Sequence, residues 1–306
     1  MKLRLPPVVL VELVTLVMFT TECAQPKTNL KSAPAALRVT PPETQSSQAR
    51  LDQHLADLKK RLPSKEFTIV VEPPFVVVGD EPAQVVKERS EDTVRWAVDR
   101  LKKDYFSKDP EEILDVWLFK DSVSYVNHTQ SLWGERPGTP YGYYSRQHKA
   151  LVMNISTGAG TLVHELVHPF IEANFPACPS WLNEGLGSLY EKCGEEGGHI
   201  HGYVNWRLAG LQRTIKTGSL PSFQELMAMD TGTFYADKSG TNYAQARYLC
   251  YYLQEHDLLV HFHREFVANA KLDRTGVATL RKVLKVDDLE SFRAKWQAFI
   301  LKIRNP

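Results

Sequence analysis

The sequence predicts an α+β domain, with a small mixed sheet ahead of a mostly helical C-terminal lobe. Three observations predict it. Short runs of β-branched and aromatic residues are concentrated before residue 156. From about residue 160, apolar residues recur at helical spacing almost to the end of the chain. No internal repeat is evident, and 306 residues suit one domain with a leader and a linker.

The elements follow in order. Lys2 and Arg4 precede a mainly apolar stretch from Val8 to Thr21, broken by Glu12. This has the form of an export signal peptide over residues 1–23, ending near Cys23–Ala24. The stretch is shorter than the about 20 apolar residues that span a bilayer, so no stable transmembrane span is expected. Cys23 raises the alternative of a lipid anchor, but Thr20-Thr21-Glu22 lacks the small residue usual before a lipidated cysteine. The chain is therefore expected to be exported, to a periplasm or outside the cell. Residues 24–48 carry Pro26, Pro34, Pro41 and Pro42 among Ser, Thr and Gln, which predicts a disordered linker and leaves 49–306 as the folded domain.

Phe67–Glu72 and Phe75–Val78 predict two strands meeting at Pro73-Pro74. A long helix is expected over Glu81–Phe106, a strand over Ile113–Phe119 and a helix over Asp121–Leu132. Tyr141–Ser145 and Lys149–Ile155 predict an edge hairpin across Arg146-Gln147-His148. Trp133, Tyr141, Tyr143 and Tyr144 either pack this hairpin or form a lip for a substrate. Further helices are expected at about 203–216, 222–229, 242–256, 259–271, 274–284 and 287–303.

Composition is that of an ordinary globular protein, 43% hydrophobic and 24% charged. The net charge of +1 gives no electrostatic reason for a nucleic-acid partner. Lys59-Lys60-Arg61 and Lys102-Lys103 lie beside acidic residues and read as solvated helix faces.

The chemistry is carried by His164-Glu165-Leu166-Val167-His168. It follows helix-start residues at Ser156–Thr161, and Leu162, Val163, Leu166 and Val167 set a helical period. Two histidines four apart on a helix share one face, with Cβ atoms about 5–6 Å apart, so both can bind one metal ion. The glutamate beside the first is then placed to deprotonate a water activated by that metal. The strand that delivers the chain into the helix offers an edge on which an extended peptide can lie. Pro169, directly after the motif, either ends the helix or kinks it. The apolar pattern resumes after it, so a kink is expected.

Ser180–Tyr190 predicts a second helix, begun by Pro179-Ser180. Catalytic zinc usually takes three protein ligands and a water, and Glu184 is the expected third ligand. Gly185 and Gly187 would let the two helices approach closely.

These residues carry a resemblance. T-L-V-H-E-L-V-H-P-F at 161–170, P-S-W-L-N-E-G-L-G-S-L-Y at 179–190 and N-Y-A-Q-A-R-Y-L at 242–249 resemble the peptidase MA-like, or gluzincin, metallopeptidases, in particular a DUF1570-type subgroup of bacterial proteins. The match covers roughly residues 65–260 in order and general character, and the two helical motifs are its specific part. It implies a thermolysin-like metallopeptidase core, zinc held by His164, His168 and Glu184, and Glu165 as the base. Four residues past the ligand glutamate such enzymes often carry an aspartate that orients a zinc-bound histidine. Here that position is Ser188, which could accept a hydrogen bond but adds no charge; a carbonyl or another residue is the alternative for orienting the ring.

A donor for the developing oxyanion is also needed. Tyr243, at the head of a helix, is the first candidate, with His199 and His201 in the glycine-rich 197–202 segment as alternatives. Cys178, Cys193 and Cys250 show no metal-ribbon or redox spacing. A Cys178–Cys193 disulfide is disfavoured, because a straight helix between them spans about 18 Å, against the about 7 Å limit for a disulfide. The sequence thus predicts an exported zinc metallopeptidase acting on a peptide or protein substrate. The alternative is a gluzincin scaffold without activity, its zinc closed by His199 or His201 as fourth ligand.

Overall fold

The computed structural model describes residues 42–304. The expected signal peptide, and the expected linker as far as residue 41, lie outside the described residues. The first helix, α1 (Pro42–Arg61), contains residues 42–48, so this part of the expected linker is helical. Proline is tolerated at the first helical position, where its missing N–H has no helical partner to lose. Further along, Leu58 is buried, and Leu51 and Leu55 pack beside it on one face.

Strands β1 (Thr68–Glu72) and β2 (Phe75–Gly79) form the expected hairpin. The long helix expected next is interrupted. It comprises α2 (Ala83–Arg89), one wide π-helical turn at Ser90–Arg95, and α3 (Trp96–Asp104). The cause is tertiary. Glu72 is buried at the end of β1, receives Ser90 Oγ at 3.3 Å and pairs with Arg95 through two bonds of 2.7 and 2.6 Å. Widening the turn brings residues five apart closer to one face, so both reach the same carboxylate.

Then follow β3 (Leu114–Phe119), α4 (Ser122–Trp133), β4 (Gly142–Ser145) and β5 (Ala150–Asn154). The five strands lie in the order β1-β2-β3-β5-β4. β2, β3 and β5 run parallel, and β1 and β4 flank them antiparallel. The three parallel strands are buried along their whole length, as near-continuous apolar runs require. Alternate residues face opposite ways. Val76, Val78, Trp117 and Val152 meet Leu58 and Tyr125, from α1 and α4. Phe75, Val77, Val116, Leu118 and Leu151 face the larger core. Trp133 packs edge-on against Trp117 and stacks on His148, so this part of the aromatic 133–144 segment is hairpin packing.

The rest is mostly helical: α5 (Gly160–Asn174), α6 (Ser180–Leu189), then β6 (Cys193–Glu196) and β7 (His199–Gly202), then α7 (Arg207–Thr217), α8 (Phe223–Ala228), α9 (Thr231–Tyr235), α10 (Thr241–Glu255), α11 (Leu259–Asn269), α12 (Val277–Leu284) and α13 (Leu289–Lys302). The glycine-rich segment is a two-stranded hairpin and not an open loop. Gly197 and Gly198 turn it with φ of 58° and 80°, the left-handed pair that a two-residue hairpin turn demands. Helix α7 starts four residues later than expected, and the Asn205 side chain accepts the Arg207 N–H at its start. Among the described residues, Cys178, Cys193 and Cys250 are free thiols, and no helix is long and apolar enough to cross a membrane.

His263 on α11 is buried with both ring nitrogens unpartnered, edge-on to Tyr105, Phe106 and Phe175. Burial, aided by Arg264, pushes its pKa down to about 4. The unfolded chain takes up this proton near 6.5, so stability is full above that pH and falls as pH drops toward 4. Over that window His263 should cost the metal-free protein about 3 kcal/mol, at 1.36 kcal/mol per unit. Urea unfolding at pH 7 and pH 4 checks this, with His263→Leu losing less on acidification than wild type by about that amount.

Candidate metal centre

Helix α5 carries both histidines. It runs unbroken through Pro169, so the motif helix continues, and the carbonyl freed by the missing N–H is that of Glu165. The imidazoles of His164 and His168 are buried, with ring centroids 5.0 Å apart and planes at 74°. Helix α6 packs across them and brings in Glu184, also buried. One donor atom from each of His164, His168 and Glu184 lies within 4.8 Å of the others.

The ring orientations are set from behind. His168 Nδ1 faces Asn183 Oδ1 at 3.0 Å, and its Nε2 stands 3.9 Å from Glu184 Oε1. His164 Nε2 faces Glu184 Oε2 at 3.1 Å. Its Nδ1 lies 3.3 Å from Glu191 Oε1, a contact too bent for a full hydrogen bond. Glu191 is itself fixed by Arg207, through bonds of 3.0 and 2.7 Å, and by Asn205 Nδ2 at 3.1 Å. Both histidines thus meet an acceptor at Nδ1 and turn Nε2 toward the shared space, as ligating imidazoles do. Ser188, where the resemblance places an acid, has a buried hydroxyl with no partner. Glu191, seven residues past Glu184, stands in the orienting position.

Glycines make the close approach possible. A Cβ at Gly187 would come within 3.0–3.1 Å of three atoms of the His164 ring, and one at Gly185 within 2.9 Å of Cys250 Sγ on α10. At the end of α6 the buried Arg247 donates to Ser188 O at 2.9 Å and to Tyr203 O, which anchors the segment leading to Glu191. Gly187→Ala should therefore weaken metal binding by roughly tenfold, the lower end of what disturbed support of a ligand costs. The same change favours helix α6 by up to about 1 kcal/mol, which offsets the crowding of the buried His164 ring, so thermal stability of the metal-free protein should change little. Metal titration beside a melting curve separates the two effects.

Electrostatics describe a site that calls for positive charge. Burial alone would raise Glu184, but its hydrogen bond with His164 and the nearby His168 hold it at about 2. Burial likewise opposes ionisation of Glu191, and His164 and Arg207 hold it at about 2. Burial pushes His164 down, yet the carboxylates of Glu184 and Glu191 outweigh it and keep the ring well above its ordinary value. The carboxylates of Glu165, Glu184 and Glu191 thus gather here, with Arg207 paired to Glu191, and the proton on His164 supplies charge that a dication would supply. Two imidazoles and a carboxylate are a donor set that suits zinc.

Glu165 is outside the donor set. Its Oε2 accepts the Tyr144 N–H of edge strand β4 at 3.0 Å and lies 3.8 Å from His168 Nε2. Burial raises its carboxyl above the ordinary range, against the lowering pull of His164 and His168. Strand β4 is fixed over α5 by Tyr144 Oη and Arg146, both bonded to Glu172. Beside this contact a cleft of about 440 Å³ is lined by Tyr144, Arg146, Pro169 and Glu172. A larger cavity, about 680 Å³, lies around His54, Arg61 and Asp115 and shares no residue with the centre.

Tyr243 is half-buried, with its ring against Phe234 and Tyr235. The hydroxyl that reaches the donor group is that of Tyr235, which donates to Glu184 Oε1 at 2.5 Å. His199 pairs with Asp104, and His201 with Gln254 and Glu255. Among the described residues neither joins the donor group. Sequence reasoning missed Asn183, Glu191 and Tyr235. Asn183 adjoins Glu184, which was a usable signal, whereas Glu191 and Tyr235 are brought in by packing.

No family model matches the chain, and no curated protein is significantly similar to it.

Proposed function

We propose that this chain is an exported zinc metallopeptidase with a thermolysin-like core. One observation carries the reading: a partly buried carboxylate, Glu165, stands beside a three-donor set and is bound to the main chain of edge strand β4. A purely structural zinc is usually closed by four protein ligands and has no use for such a base. The donors His164, His168 and Glu184 fit zinc, which when bound would acidify a water and polarise a carbonyl. Glu165, its affinity for protons raised by burial, is the group to take a proton at Oε and return it to the leaving amine. Because the Tyr144 N–H points away from β5 toward Glu165, the Tyr144 carbonyl and the polar groups of Gly142 share that outward edge. An extended substrate can add to it as a further strand. Tyr235, with Tyr243 behind it, is the candidate donor to the developing oxyanion.

Metal analysis of the full chain, with digestion of a peptide pool, tests this. About one zinc per chain and zinc-dependent cleavage are expected. Zinc without cleavage would leave a scaffold that holds metal without peptidase activity.

A further inference from the structure

We propose that Trp206, Arg207, Tyr243 and Tyr235 form a stacking wall that takes an aromatic side chain of the substrate peptide; this rests on the peptidase reading. The four residues are joined by successive contacts beside the donor group. The Tyr235 hydroxyl is bonded to Glu184, its ring is 6.1 Å from that of Tyr243, the Arg207 guanidinium is 5.3 Å from Tyr243, and Trp206 lies 4.3 Å beyond it.

Trp206 is 73% exposed and joins neither apolar core, so the fold gains little from it. It is nonetheless backed by a rigid support. Arg207 is pinned by two bonds to Glu191, and its plane lies against the indole. Tyr235 is 46% exposed, so the row presents open ring surface at both ends.

The chemistry of the wall selects its occupant. The one cation in the row is neutralised by Glu191, which leaves ring faces and a hydroxyl. Such a surface favours a flat group, which gains stacking area on each ring, over an acid, which the ring faces repel. An extended peptide rising about 3.3 Å per residue covers the row in about half a dozen residues, so one chain can engage the wall and the centre together.

The test uses full-length Glu165→Gln protein loaded with zinc, which is built to bind without cleaving. Fluorescein-labelled octapeptides of Ala and Ser, with one Phe stepped through the positions, are titrated by anisotropy. Phe at one or two positions should tighten binding by roughly tenfold over the Phe-free peptide, the range of an aromatic pair. Adding Trp206→Ala should remove most of that gain, while Leu272→Ala, at an exposed residue outside the row, should not. A Phe preference that survives Trp206→Ala, or none at any position, overturns the wall. If wild type binds the Phe peptide through Trp206 yet cleaves no peptide, the peptidase reading fails and the wall stands.

Discussion

Replacing Glu165 by Gln should reduce peptide hydrolysis by about a thousandfold and leave metal content unchanged. The magnitude follows from the role, since a positioned general base contributes about 10² to 10⁴ in rate. The selectivity follows from the geometry. The donors are His164, His168 and Glu184, and Glu165 is not among them. Gln keeps a side-chain oxygen for the Tyr144 N–H, so strand β4 should stay anchored to α5. What is lost is a carboxylate able to take a proton. The loss should fall on kcat, with KM little altered, because the interaction is made as the reaction proceeds. Metal content by mass spectrometry and kcat on a quenched fluorescent peptide check both halves. A variant that cleaves as wild type does would remove Glu165 from the chemistry. One that lost its metal would place it among the ligands.

The parts of this site legible in the sequence are those fixed by local geometry. His164 and His168 share a face because any helix puts residues four apart together. Glu184 was legible because a second helix with small residues beside its acid has few ways to pack on the first, and Gly187 does lie against the His164 ring. The edge hairpin and the three buried strands were readable from their turn and their apolar runs. The π-helical turn at Ser90–Arg95 was not, since its cause is Glu72, on another element. Nor was α9, whose five residues carry no apolar period and whose start is marked only by the Asp230 cap on Thr233. Tyr235 was missed with it, whereas Tyr243 stands on a helix that the sequence predicted.

Removing the Glu191 carboxylate should weaken metal binding by about 10- to 100-fold, although no ligand is touched. That is the usual cost of losing the group that holds a ligating histidine. Glu191 Oε1 is the nearest acceptor to His164 Nδ1, 3.3 Å away but outside full hydrogen-bond geometry, and Nδ1 has no other partner. In Glu191→Ala the ring is free to turn its lone pair away from the shared space. Arg207, mostly buried, then loses both of its bonds to the carboxylate, which adds a stability cost. Glu191→Gln separates the contributions. It keeps an oxygen that can face Nδ1 or Arg207 and removes only the charge, so its metal affinity should fall between wild type and Glu191→Ala. Competition with a chelator gives the affinities, and urea unfolding of the metal-free proteins gives the stability change. If both variants bound metal as tightly as wild type, the orienting role would pass from Glu191 to another group. Ser188, with its unpartnered hydroxyl, would be the next position to vary, and Ser188→Ala is the simplest change to make there.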